Sequence, residues 1–245
     1  MTYCVGITLD KGMVFASDSR TNAGVDQVCA YPKMHLFEWP GERVFILLSS
    51  GNLATTQALV RRLHLENSQE NITSLKSVPN MMAAADYVGD VSVSIQSKQS
   101  GLCQSSANFT ASFILGGQIA GAPMEMFLIY PEGNHISPSP YSPFLQIGEI
   151  KYGKPILDRI IRPSMNMADA CRCALVSIDS TMRSNLSVGP PIDLAIYESE
   201  KLSINRRETF AKETGFLREL RSQWAEGLVN LFKNLPKFDW ESGDR

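Results

Sequence analysis

Thr2 follows Met1 directly, so removal of Met1 would leave a threonine with both a hydroxyl and a free α-amine. Such a residue combines a nucleophile and a candidate general base. An α-amine has an ordinary pKa of about 7.7–8.0, so part of it is neutral near pH 7 and can accept the hydroxyl proton. Most chains with threonine at this position make no use of it. Thr2 therefore predicts chemistry only if other groups converge on it.

Asp18 and Lys33 are the first charged residues that the chain could return to Thr2. Tyr3–Leu9 is rich in β-forming residues, and Met13–Ala16 is a second apolar run after a turn that contains glycine. This pattern predicts a β-hairpin. The hairpin would return Asp18 to the start of the first strand, beside Thr2. Lys33 stands at the head of a third strand-like segment.

Together, these three side chains could activate a hydroxyl. An ammonium at Lys33 would stabilise the alkoxide of Thr2 and lower the pKa of its α-amine by repulsion between like charges. The carboxylate of Asp18 would keep Lys33 charged and fix its direction. The alternative is that Asp18 caps a turn and Lys33 is a solvated residue at a strand edge.

Gly51 is a candidate oxyanion donor. The continuous apolar run Val44–Leu48 predicts a buried strand, and a helical pattern opens at Leu53 and continues to Leu65. A glycine between strand and helix lets the backbone approach a ligand, and its N–H can bind a developing oxyanion. The alternative is an ordinary glycine in a strand-to-helix turn.

The motifs Thr2–Gly6, Phe15–Asp26 and Lys33–His35 resemble the proteasome β-subunit family of N-terminal-nucleophile hydrolases, and within it the bacterial Anbu branch most of all. The resemblance extends from residue 2 to about residue 200. It implies an α+β fold, a four-layer αββα sandwich, and a catalytic threonine assisted by aspartate and lysine at nearly these intervals. The lysine interval is one residue shorter than in ordinary β-subunits.

Two later segments follow the family pattern less completely. Ile147–Gly153 corresponds to a Gly-Ser-Gly loop, and Glu149 stands in the place of its accessory serine. Met182–Gly189 corresponds to an Arg-Asp-x-x-Ser-x-Gly turn, in which Ser184 replaces the aspartate and Ser187 matches the accessory serine. The resemblance thus implies a catalytic role for Ser187. Capping of a helix C-terminus explains both serines equally well.

Composition excludes several classes of protein. The 245 residues are 44% hydrophobic and 20% charged, with a formal net charge of −2 and interspersed signs, so nucleic acid is not an expected partner. No signal peptide and no apolar run of about 20 residues is present, so we expect a cytoplasmic protein that does not bind membranes. The three histidines have no metal-ligand spacing, and we expect no cofactor.

Residues 1–245 are expected to form a single proteasome-type domain whose elements alternate between groups of strands and groups of helices. The further predicted helices are Asn80–Gln99, Tyr152–Ile161 and Met165–Met182, and the further strands are Phe109–Gly116, Met124–Tyr130 and Ile192–Tyr197.

A C-terminal helix is predicted at about residues 209–235, because large apolar residues recur there at steps of three and four. This amphipathic helix is absent from ordinary β-subunits. It is expected to pack either on its own domain or against a neighbouring subunit. The second alternative is considered because aromatic residues on a terminal helix are typical of interfaces.

The functional expectation is a threonine endopeptidase that cleaves peptides or unfolded polypeptides and assembles as a ring-like or open helical homo-oligomer. One alternative is a weakly active or inactive scaffold subunit of the same fold, and another is an amidase acting on a small amide. Inactive α-type subunits carry an N-terminal extension, whereas this chain has only Met1 before Thr2, which favours the active class. The sequence identifies no ATPase partner.

Overall fold

The structure is a computed structural model that describes residues 1–22, 28–102, 108–211 and 214–241. The chain divides into two compact units, residues 1–212 and 213–245. All sheet pairs in the first unit are antiparallel. The first sheet has the strand order β10-β1-β2-β11-β12. Its members are β1 (Tyr3–Leu9), β2 (Gly12–Asp18), β10 (Phe144–Gly148), β11 (Ile192–Glu198) and β12 (Arg206–Phe210).

The second sheet has the order β5-β6-β7-β8-β9. Its members are β5 (Met34–Trp39), β6 (Arg43–Gly51), β7 (Ala111–Ile119), β8 (Glu125–Ile129) and β9 (His135–Ile136). A short ribbon of β3 (Arg20–Asn22) and β4 (Val28–Ala30) connects the two sheets in sequence. The helices of the first unit are α1 (Leu53–Asn67), α2 (Met81–Leu102), α3 (Lys154–Ile160) and α4 (Met167–Ser184).

Strand β6 shows how the layers pack. Alternate residues of a strand point to opposite faces of the sheet. Phe45 and Leu47 pack in a cluster with residues of α1 and α2, whereas Ile46 and Leu48 pack in a second cluster with residues of β1 and β2. All four side chains are fully buried. Because both faces of β6 are covered, its sequence is a continuous apolar run and not an alternating one.

The layers therefore run from α1 and α2 through the two sheets to α4, which contacts β1 and β2, and α3, which contacts α4. This is the predicted α+β, four-layer αββα sandwich. The hairpin is also present, with Cys4 opposite Ser17 and Leu9 opposite Gly12. Of the helices described, none is long and apolar enough to cross a membrane.

The C-terminal region differs from the sequence prediction in its first residues. Thr209 and Phe210 belong to β12, which pairs with β11 at the edge of the first sheet, so that the backbone of this segment continues the ladder of hydrogen bonds. The helix of the second unit, α5, spans Gly215–Lys233 and is capped by the side chain of Thr214. The single-domain organisation stays a prediction.

Helix α5 carries large apolar side chains that are exposed, among them Leu228, Leu231 and Phe232. Phe238 and Trp240, which follow the helix, are also exposed, and their rings stack on each other with centroids 5.3 Å apart. An amphipathic helix ordinarily buries its apolar stripe. The exposed residues therefore identify α5 as a candidate contact surface.

His35, on β5, is expected to make the fold sensitive to acid. Burial lowers the pKa of its imidazole to about 4; His64 and Arg207 act in the same direction, and Asp193 opposes them. In the unfolded chain the pKa returns to about 6.5, so unfolding takes up a proton between these two values. The contribution to stability is complete above about pH 6.5 and is lost as the pH falls towards 4.

His35→Gln is expected to reduce the loss of stability on acidification by roughly 2 to 3 kcal/mol between pH 7.5 and pH 4.5. Urea unfolding of wild type and variant at both pH values measures this difference. Equal losses in the two proteins would contradict the assignment to His35.

Candidate active site

The backbone of Thr2 is fixed by the residues that follow β10. The carbonyl oxygen of Thr2 accepts a hydrogen bond from the N–H of Glu149 at 2.7 Å. Gly148 precedes this contact with φ +88°, and a Cβ added to it would lie 2.0 Å from the Thr2 carbonyl oxygen. Only glycine fits at that position, because both the backbone conformation and the close approach exclude a side chain. Thr2 is 9% exposed and immediately precedes β1.

Asp18 is held beside Thr2 by the register of the hairpin. The N–H of Tyr3 donates to Asp18 Oδ1 at 3.0 Å, and the N–H of Gly189 donates to Asp18 Oδ2 at 3.1 Å. Lys33 Nζ donates to the same Oδ1 at 2.7 Å and to the carbonyl oxygen of Arg20 at 2.6 Å. The structure thus brings Asp18 and Lys33 together at the end of β1 where Thr2 lies.

The ion pair of Asp18 and Lys33 is almost completely removed from water, since the side chains are 0% and 8% exposed. Burial raises the pKa of the Asp18 carboxyl above its ordinary value, while Lys33 and the N–H groups of Tyr3 and Gly189 oppose that rise. A buried charge whose partner is removed is strongly destabilising. Each member of the pair therefore depends on the other.

A cleft of about 160 Å³ is lined by three of the predicted site residues, Thr2, Lys33 and Gly51. The other lining residues are Met1, Thr21, Pro32, Ser49, Ser50, Leu53 and Thr56. A larger cleft of about 560 Å³, lined by Asp10 and Glu198 among others, lies at the turn end of the hairpin, away from Thr2. The smaller cleft is the candidate active site because it holds the reactive groups.

Gly51 ends β6 with φ +114°, and a Cβ there would lie 2.4 Å from the carbonyl oxygen of Thr110. The next residue, Asn52, caps α1 by accepting a hydrogen bond from the N–H of Thr55. The predicted turn between strand and helix is therefore present, and its backbone borders the cleft that contains Thr2. The N–H of Gly51 as an oxyanion donor remains a prediction.

The two serines at the accessory positions of the family pattern, Ser184 and Ser187, do not line the cleft that contains Thr2. Ser184 is the last residue of α4 and is exposed, and Ser187 is partly buried and outside the lining of the cleft. The recorded hydrogen bond of Ser187 is made by its N–H, which donates to Asn185 Oδ1 at 2.9 Å. Its catalytic role stays a prediction.

Asn185 and Gly189 are the residues that sequence reasoning missed. Asn185 Nδ2 donates to Glu149 Oε2 at 3.0 Å, and the N–H of Gly189 holds Asp18. An asparagine directly after a helix is common, so its type gave no signal. The contact between the end of α4 and the segment after β10 is what shows that Asn185 belongs to the site. In the described ranges, no group of three or more His, Cys, Asp or Glu could hold a metal ion.

The family model described as "Proteasome subunit" matches residues 2–197 of this chain. A solved structure of an Anbu (Gly-1) mutant from Hyphomicrobium sp. strain MC1 is 46% identical, with a TM-score of 0.91, over 98% of this chain and 100% of that chain. Anbu from Yersinia bercovieri is 42% identical, with a TM-score of 0.91 and coverage of 97% and 99%.

A third structure, described as a helical assembly of the Anbu complex from Pseudomonas aeruginosa, is 41% identical with a TM-score of 0.91. It covers 96% of this chain and 98% of that chain. A search of the curated proteins gave no match.

Proposed function

This chain belongs to the proteasome subunit family, and from that membership we propose that it is a threonine endopeptidase. The substrates are peptides or unfolded polypeptides. The observation that carries the proposal is the buried ion pair of Lys33 with Asp18 in the cleft that Thr2 lines. A desolvated ammonium that lines the same cleft as a hydroxyl is suited to nucleophilic catalysis.

In the proposed mechanism, removal of Met1 exposes the α-amine of Thr2. The Oγ1 of Thr2 attacks the carbonyl carbon of a peptide bond while the amine accepts the hydroxyl proton, directly or through a water molecule. The amine then returns this proton to the leaving nitrogen, and an acyl-enzyme ester forms on Thr2. A water molecule that is deprotonated by the same amine hydrolyses the ester.

Residues in and around the cleft assist this sequence of steps. Lys33, oriented by Asp18, stabilises the alkoxide, and the N–H of Gly51 binds the oxyanion of each tetrahedral intermediate. We assign Ser187 an accessory role through Asn185, to which its N–H is bonded.

The experiment that tests this function combines mass analysis with a covalent probe. The purified protein is expected to lack Met1 and to cleave an unstructured peptide. It is also expected to react with a peptide epoxyketone, which needs the hydroxyl and the free amine of one residue. Intact mass and peptide mapping should place a single adduct on Thr2. A protein that retains Met1 and forms no adduct would contradict the proposal.

We further propose that the protein is a homo-oligomer, ring-like or open helical. The apolar residues exposed on α5 support this, as does the likeness to the structure described as a helical assembly of the Anbu complex. Light scattering across micromolar concentrations is expected to give a mass several times the 27.1 kDa of one chain. A particle with the mass of one chain at every concentration would contradict it.

A further inference from the structure

Glu149 is a buried acid that lies against the backbone of Thr2. Glu149 is 7% exposed, and its N–H donates to the Thr2 carbonyl oxygen at 2.7 Å. Its carboxylate accepts one recorded hydrogen bond, from Asn185 Nδ2 to Oε2 at 3.0 Å. None of the salt bridges among the described residues involves it.

This arrangement is costly unless a cation joins it. A hydrogen bond from an amide satisfies part of the accepting capacity of a carboxylate, but a buried charge is ordinarily paired with an opposite charge. Lys33, which lines the same cleft as Thr2, is already bonded to Asp18 and to the carbonyl oxygen of Arg20. The residue bonded to the Thr2 backbone therefore carries a buried carboxylate for which the described residues supply no counter-ion.

Removal of Met1 creates a cation at this place. The nitrogen of Thr2 is an uncharged amide while Met1 is attached and becomes an amine that can take a proton once Met1 is gone. This nitrogen and the carbonyl oxygen bound to Glu149 belong to the same residue, so they lie about 3 to 4 Å apart. The new charge thus appears on the residue that the Glu149 N–H already holds, while the Glu149 carboxylate has an amide partner and no cation among the described salt bridges.

We propose that Glu149 is the counter-ion of the Thr2 α-ammonium and a positioning residue for it, with Asn185 fixing the direction of the carboxylate. This inference rests on the proposed function of Thr2. In this role Glu149 transfers no proton. In the sequence, Glu149 stands in the place of the family's accessory serine.

Two charges would then act on the amine with opposite sign. Glu149 favours the protonated amine and raises its pKa, whereas Lys33 favours the neutral amine and lowers it. Asp18 lies behind Lys33 and reduces the effect of that ammonium, and the guanidinium of Arg20 is bonded to the carbonyl oxygen of Leu186. The balance sets the fraction of Thr2 that can act as a base near neutral pH.

Glu149→Gln tests the proposal, because glutamine keeps the shape and can still accept the hydrogen bond from Asn185. The acidic limb of the kcat/KM profile for peptide cleavage is expected to move to lower pH by about one unit. Glu42→Gln is the matched control, since Glu42 is an exposed partner of Arg43 on the other sheet. It should leave the profile of the wild type unchanged.

A second measurement reads the amine without activity. The rate at which acetic anhydride labels the Thr2 amine, followed by peptide mass spectrometry against pH, gives the pKa of the amine directly. The midpoint is expected to fall by about one unit in Glu149→Gln and to stay in place in Glu42→Gln. A role limited to anchoring the end of α4 would move neither midpoint.

The outcomes separate this proposal from the proposed function. Unchanged midpoints in Glu149→Gln with intact Thr2-dependent cleavage overturn the role of Glu149 alone. A shifted labelling midpoint without any cleavage supports Glu149 while the peptidase assignment fails. Retention of Met1 in the purified protein overturns both. If Glu149→Gln does not fold, Glu149→Asp, which withdraws the carboxylate, should give a smaller shift in the same direction, and no shift overturns the proposal.

Discussion

Thr2→Ala is expected to abolish peptide cleavage and the epoxyketone adduct, because the variant lacks the hydroxyl that forms the acyl-enzyme. Alanine is also small, so Met1 can still be removed and the α-amine and the rest of the cleft remain. The loss therefore measures the nucleophile and not the processing of the chain. Cleavage rates and intact masses of wild type and variant provide the measurement.

Two further variants make this result specific. Thr2→Ser keeps a hydroxyl and is expected to retain measurable cleavage and the adduct. Thr8→Ala makes the same chemical change farther along β1, where the Thr8 Oγ1 has no hydrogen-bond partner in the structure, and should leave cleavage unchanged. If purified Thr2→Ala cleaves peptides at the rate of the wild type, the assignment of an N-terminal nucleophile is wrong.

Lys33→Ala is expected to lower kcat/KM by roughly a thousandfold or more. The ammonium stabilises the alkoxide of Thr2, and one such interaction in a desolvated site contributes a few kcal/mol to the transition state. The adduct with the epoxyketone should form more slowly by a similar factor, because it uses the same alkoxide. Steady-state kinetics and the rate of adduct formation measure the two effects.

The same substitution also leaves Asp18 without its cation. We expect a loss of about 3–5 kcal/mol in the free energy of unfolding, since the carboxylate is fully buried. The double variant Lys33→Ala, Asp18→Asn removes the uncompensated charge and should recover much of this stability but none of the activity. If the double variant regains activity, Lys33 acts through stability alone.

The pairing of Thr2 with Asp18 was predictable because a short hairpin joins them. The turn at residues 10–12 fixes the register of β1 and β2, and the register alone returns Asp18 to the N–H of Tyr3. Lys33 and Gly51 follow at the ends of neighbouring elements. The αββα layers were also predictable, since the spacing of apolar residues and the resemblance to a known family indicate the same elements over most of the chain.

The sequence was less informative where one spacing of apolar residues is compatible with both a helix and a strand. Phe210 continues the apolar spacing of the C-terminal helix, yet Thr209 and Phe210 form a strand that pairs with β11. A local periodicity cannot detect an unpaired sheet edge that is formed elsewhere in the chain, so the start of α5 had to come from the structure.

The sequence thus determined Thr2 and Asp18 as neighbours in one candidate group, because the hairpin register places them side by side, and Lys33 joins them through its contact with Asp18. The environment of that group was decided by tertiary structure. Glu149 reaches Thr2 only because β10 pairs with the far side of β1, and Asn185 reaches Glu149 only because α4 packs on that sheet. These contacts join residues that are more than a hundred positions from Thr2, and packing of the complete core fixes their register, which no local pattern of residues encodes.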